Sequence, residues 1–138
     1  MDEGVVSFME FKYEVSTSLT VEEAAAAITE GLKEAGFGVM WSLDVPAKLK
    51  EKGFELGRAI RILEVCQPAK AKQALEEDVR IGYFLPCKIV VYEKDGRAAA
   101  GFVRPGMFAG FFPDSKVFPA LAAEVDTVLR GVLDGLPG

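Results

Sequence analysis

Two cysteines are the residues of this chain best placed to do chemistry. Cys66 closes the apolar, β-branched run Ile60 to Val65 and leads into Gln67-Pro68. Cys87 follows Leu85-Pro86 and opens the run Lys88 to Tyr92. Each thiol therefore stands where a strand meets a proline turn. A thiol pair can form a reversible disulfide, hold a soft metal or carry a persulfide. Alternation puts Ile60, Ile62, Glu64 and Cys66 on one face of the first run, and Cys87 with Ile89 and Val91 on one face of the second. If the two strands are neighbours, both thiols can line one pocket. The competing reading is that both are small buried hydrophobes, the common fate of free cysteine. The spacing is not Cys-x-x-Cys, and two ligands do not close a zinc site, so no metal is expected.

Three neighbouring residue types extend this candidate site. Glu64 points the same way as Cys66 and can act as a base toward a thiol or ligand, or can be a solvated strand end. Gln67 precedes the helix that Pro68 opens, where it either caps that helix or contacts a ligand. The free N–H groups of such a helix start can bind an anion or lower a thiol pKa. Pro86 sets the turn before Cys87. The chain has no histidine, which excludes Ser-His-Asp and Cys-His nucleophiles, His-ligated zinc and His-based acid–base catalysis. Gly36-x-Gly38 lacks the third glycine and the strand-before-helix setting of a dinucleotide fingerprint. No carboxylate cluster has the spacing of a calcium or magnesium site.

These residues must be positioned by a chain of 138 residues, read as a single domain over 1–138. Hydrophobic residues make up 50% and charged residues 27%, the composition of a globular protein. The net charge is −5 with a pI near 4.8. The densest basic stretch, Lys48 to Lys52, is broken by Leu49 and Glu51. Nucleic acid is therefore not an expected partner. Met1-Asp2-Glu3-Gly4 lacks the basic region and apolar core of a signal peptide. No apolar run approaches the ~20 residues of a membrane span. Two cysteines do not make a secreted disulfide framework. A cytoplasmic location and no membrane partner follow as expectations.

Met9, Phe11, Tyr13 and Val15 alternate with polar residues and predict a half-buried strand. Thr20-Val21-Glu22-Glu23 fits a capping box for a helix reaching about Ala35, with Gly36 as its stop. Strands are expected over Phe37 to Val45, Arg58 to Val65, Lys88 to Glu93 and Arg97 to Val103. Asp95-Gly96 is a two-residue hairpin signal. Helices are expected over Pro46 to Lys52, Pro68 to Glu77 and Phe118 to Leu133. The Phe-rich stretch Arg104 to Lys116 reads as irregular or partly helical. It can close an apolar pocket, form a subunit interface or cover its own core. Trp41, on the second strand, is expected in the core. The order β-α-β-α-β-α-β-β-α predicts an α+β domain with a mainly antiparallel sheet of about five strands and helices on one face.

The stretch Leu63-Glu64-Val65-Cys66-Gln67-Pro68, then Ala69, Ala71, Ala74-Leu75, Ile81-Gly82, Leu85-Pro86-Cys87 and Val90-Val91-Tyr92-Glu93, resembles the domain-of-unknown-function family 302. Gly36-Phe37-Gly38-Val39 after an amphipathic helix fits the same pattern. Gln67 departs from it where Asn is usual, and Val79 where Pro is common. The resemblance implies a curved sheet of TATA-binding-protein-like fold, a homodimer, and no agreed activity; the fold name carries no DNA-binding implication. Three functions are open at this point. The first is a homodimeric ligand-binding or thiol/redox-linked module with Cys66 and Cys87 near a pocket, taking a small molecule or a sulfur species. The second is an enzyme using Cys66 as nucleophile or redox centre, with Cys87 resolving and Glu64 assisting. The third is a structural or interaction protein with core cysteines.

Overall fold

The computed structural model describes residues 11–138; Met9, expected in the first strand, lies outside that range. Tyr13 and Val15 alternate with Lys12 and Glu14 in β1, Lys12–Thr17. Thr20 caps α1, Val21–Glu34, through the predicted reciprocal pair. The Glu23 N–H donates to the Thr20 hydroxyl at 3.1 Å, and the Thr20 N–H donates to the Glu23 carboxylate at 3.0 Å. Next come β2, Gly38–Asp44, and α2, Val45–Glu51, whose cap is the Asp44 carboxylate. Then follow β3, Ile60–Cys66, and α3, Pro68–Glu77. A 3-10 segment, Val79–Phe84, precedes β4, Cys87–Lys94, and β5, Arg97–Val103. A second 3-10 segment, Pro105–Phe111, leads to α4, Phe118–Asp134. Asp95 and Gly96 have φ of 53° and 77°, the left-handed pair that a two-residue hairpin demands.

The five strands form one antiparallel sheet in the order β1-β5-β4-β3-β2. This is the expected α+β architecture with helices on one face. The first 3-10 segment was not legible in the sequence, and the second takes the place of the irregular stretch. On the covered face, Leu63, Val65, Ile89, Val91, Ala100 and Phe102 meet Ala24, Ile28 and Leu32 of α1 and Leu121, Val125, Leu129 and Leu133 of α4. All of these are buried, and removing them from water is the main force holding the layers together.

The other face carries Leu43, Ile60, Ile62 and Val90, each half-buried, and Trp41. Trp41 is 51% exposed, which corrects the expectation that it lies in the core. Its strand is at the sheet edge, and a register shift between Val39 and Trp41 turns it outward. Tyr92 reaches from β4 across β5 to β1, where its hydroxyl donates to the Glu14 carboxylate at 2.7 Å. Ala99 and Gly101, on the strand it crosses, are buried. A Cβ at Gly101 would stand 2.7 Å from the Tyr13 carbonyl oxygen, so this position admits only glycine without backbone movement. Among the described residues no helix is long and apolar enough to cross a membrane.

Candidate functional site

β3 and β4 are neighbours, as a shared thiol site requires. Their register pairs Cys87 with Val65, not with Cys66. Residues directly opposite each other share a face, so Cys87 points with Val65 toward the helix layer, and alternation assigns Cys66 to the other face. The two thiols consequently do not face one another, and both are free. This corrects the picture of a facing thiol pair: which face a terminal residue takes depends on inter-strand register, and register is not written in either strand alone.

Both residues nevertheless border one small, largely apolar cavity of about 20 Å³. Its walls are Phe37, Val65, Leu85, Leu121 and Val125, with Gln67 and Lys70 among the polar residues bordering it. The covered sheet face supplies Val65 and Cys87, the end of β3 supplies Cys66, α3 supplies Lys70, and α4 closes the site. Burial pushes the Cys87 thiol up to about 11, with a lesser push from Cys66. Burial also raises the pKa of Cys66. Both thiols are therefore held protonated at neutral pH, the opposite of the depressed pKa that activates a nucleophilic cysteine.

The other predicted residues fall around this cavity with separate tasks. Gln67 caps α3, its side-chain oxygen accepting the Lys70 N–H at 2.7 Å, and Pro68 takes the first helical position. Pro86 follows Leu85 through a cis peptide bond. The Glu64 carboxylate is ion-paired to Lys88 at 3.0 Å on the sheet face away from the helices. The Phe-rich stretch divides: Phe112 is buried, Phe108 stacks on Phe84 at 4.4 Å, and Phe111 is turned to solvent. Phe108 and Phe112 thus pack on the chain's own core, while Met107 and Phe111 stand exposed.

Sequence reasoning passed over a second concavity, along the flank of α4. It has a volume of about 660 Å³ and is bordered by Arg104, Asp126, Arg130 and Asp134 among smaller residues. The two Asp126 oxygens accept from Arg104 Nε at 3.3 Å and Arg130 Nη2 at 3.1 Å. Arg130 lies 4.6 Å from the Tyr13 ring centroid, and the Tyr13 hydroxyl donates to Asp134. That hydrogen bond, then burial, raises the Tyr13 pKa, so the phenol stays protonated. The signal available was the four-residue repeat Asp126, Arg130, Asp134, which sets three charges on one helix face. Tyr13 and Arg104 could not have been added without the fold.

A five-stranded antiparallel sheet covered on one face by helices, with free cysteines at two strand ends, defines a small α+β class. Residues 13–136 match the family described as Domain of unknown function DUF302, and the chain belongs to that family. It is similar to a solved structure, that of an uncharacterized conserved DUF302 protein from Bacillus stearothermophilus. The two share 40% identity and a TM-score of 0.82, over 90% of this chain and 96% of that one. No curated protein matches the chain.

Proposed function

We propose that this protein is a homodimeric, non-catalytic binding module of the cytoplasm. Its cavity beside Cys87 takes a very small neutral guest, for which a sulfur species such as hydrogen sulfide has the right chemistry. The observation that carries this reading is the pairing of an apolar cavity with a protonated thiol. A space of about 20 Å³ exceeds the ~10–15 Å³ that one water-sized molecule needs. Its walls offer few polar partners, which disfavours water and suits a guest that hydrogen-bonds weakly. Free thiols fit a reducing compartment.

The nucleophilic and resolving-cysteine enzyme is less well supported, because both thiol pKa values move the wrong way and the thiols do not face one another. The homodimer is supported by the sheet face that no helix covers among the described residues. Five strands at ~4.8 Å spacing and six or seven residues at ~3.3 Å give roughly 24 by 20 Å, comparable in scale to the ~800 Å² per partner of a standard interface once side-chain relief is added. Its carboxylates already have partners, Glu64 with Lys88 and Glu14 with Lys12 and Lys94, so a second copy strands no anion. A second copy of this chain is the occupant proposed for that face.

The test is addition of sodium sulfide to the reduced protein, followed by amide and methyl NMR. Saturable shifts at Val65, Leu121 and Val125 that vanish when Cys87→Val fills the space support the reading. Unchanged spectra, or shifts that survive in Cys87→Val, rule the cavity out as a guest site.

A further inference from the structure

We infer that Lys70 and Glu124 form a latch across the entrance to the cysteine cavity, so that access to Cys87 is set by how often this ion pair parts. The inference rests on the reading of that cavity as a guest site and adds how the guest is admitted. A small cavity that exchanges its guest needs a wall that moves. Phe37, Gln67 and Lys70 border the cavity of about 20 Å³ and also a wider groove of about 460 Å³ lying against α3 and α4. These three side chains are therefore the partition between the groove and the cavity.

Two members of the partition are held in place. Phe37 is buried, and its N–H donates to the Leu32 carbonyl at 2.8 Å. The Gln67 side chain is committed to the cap of α3, accepting the Lys70 N–H at 2.7 Å. The Lys70 side chain is the third member, an ammonium on a flexible four-carbon stem. It borders the cavity, yet its ammonium pairs with Glu124, which borders the groove and not the cavity. The side chain thus runs outward from the cavity wall, and its far end is fastened to the opposite helix. Among the described residues neither charge has another ionic partner. Lys70 is half-buried and Glu124 is exposed, so parting them strands no buried charge. An exposed ion pair of this kind is worth little, which makes the latch a light one, suited to rapid exchange.

The experiment alkylates the full chain with iodoacetamide, a small neutral reagent, at one pH. Mass spectrometry reads the rate at Cys87 relative to Cys66, whose place on the other sheet face makes it the internal reference. Glu124→Gln should raise this ratio about two- to fivefold, the range that an exposed ion pair commands. Lys70→Ala should raise it at least as much, so the inference does not hang on one variant that fails to fold. The two variants alter local charge in opposite senses: losing the carboxylate favours thiolate, and losing the ammonium disfavours it. Acceleration in both therefore reads opening and not thiol acidity. Salt at about 0.5 M should raise the ratio in the parent protein and leave Glu124→Gln unmoved. Lys72→Met, which breaks the 3.0 Å pair with Glu76 on the same helix, should change nothing. Opposite shifts in the two variants, equal acceleration at both cysteines, or an unchanged ratio would each overturn the latch, in favour of electrostatics, global opening or another entrance. Sulfide does not enter this readout. A cavity that takes no sulfide would remove the guest and leave the latch, whereas an unchanged alkylation ratio would remove the latch alone.

Discussion

At the scale of single residues, Cys87 and Gly101 make the clearest claims. Alkylation requires thiolate, so its rate at each cysteine should climb with pH toward that cysteine's own pKa. The expected order is Cys66 before Cys87, with Cys87 levelling off only near pH 11. Mass spectrometry of partially alkylated folded protein checks this, and a Cys87 midpoint near the ordinary ~8.5 would contradict it. The linkage has a fixed sign. A folded-state pKa raised above the unfolded one gives stability that is complete below the unfolded value and is lost as pH rises through about 11. Gly101→Ala brings a methyl group to 2.7 Å from a backbone oxygen. It should cost about 1–3 kcal/mol in denaturant melts. At this scale the sequence was partly legible. It singled out both cysteines, Gln67 and the prolines, because strand ends and proline turns show in residue type. The orientation of Cys66 relative to Cys87 did not show, because it is a property of the pairing between strands.

At the scale of elements, local rules did well wherever a residue's partners lie within a few positions. The Thr20 and Glu23 capping box, the Asp95-Gly96 turn, the helix Pro68–Glu77 and the strand Arg97–Val103 all appear where the residues call for them. What escaped were contacts between distant elements. Glu77, at the end of α3, is the main case. Its carboxylate accepts from the Ser115 hydroxyl and from the backbone N–H groups of Lys116 at 2.9 Å and Val117 at 3.2 Å. Val117 itself gives α4 no side-chain cap. Glu77 therefore holds from a distance the two backbone donors just ahead of α4, while the Ser115 hydroxyl that donates to it accepts the first helical N–H, that of Phe118, at 2.9 Å. The Ser115 hydrogen bond, then that from Lys116, lowers its pKa. Its contribution to stability is thus present above the unfolded value and disappears as pH falls through the lowered one. Glu77→Gln should speed hydrogen exchange at Lys116 and Val117 while leaving the amides of α1 protected. Uniform acceleration across both helices would mean that Glu77 acts on global stability instead.

At the scale of the whole molecule, the question is what meets the face with Ile60, Ile62 and Val90. Trp41 is the chain's one tryptophan and stands on that face, so its emission reports directly on the contact. On dilution from a dimer, the emission should shift to longer wavelength as the indole becomes hydrated. Ile62→Lys should show the red-shifted spectrum at every concentration and sediment as a monomer. A dimer that survives Ile62→Lys would have to use another surface, such as that of Phe111 and Tyr83, whereas a monomeric parent protein would remove the dimer itself; sedimentation velocity separates the two outcomes. The α+β class could be read from element order alone. The misplaced Trp41 shows the limit of that reading: an aromatic in a strand is core or surface according to which strand forms the edge.

β1 joins the sheet only through β5, its Lys12 lying opposite Val103, and the Thr17 hydroxyl and Ser18 N–H both meet the carbonyl of Pro137. On a ribosome, the strand made first must therefore wait for the strand made last. β2 to β5 can pair successively as they emerge, each with a neighbour already present. The Tyr13-to-Thr17 segment has no strand partner until the chain has been synthesised past Val103, and its seam with Pro137 forms later still. Chaperones that bind nascent chains would meet this segment as an open strand until its partner has emerged. A circular permutant that moves β1 to follow α4 would remove that wait without altering a contact in the finished sheet.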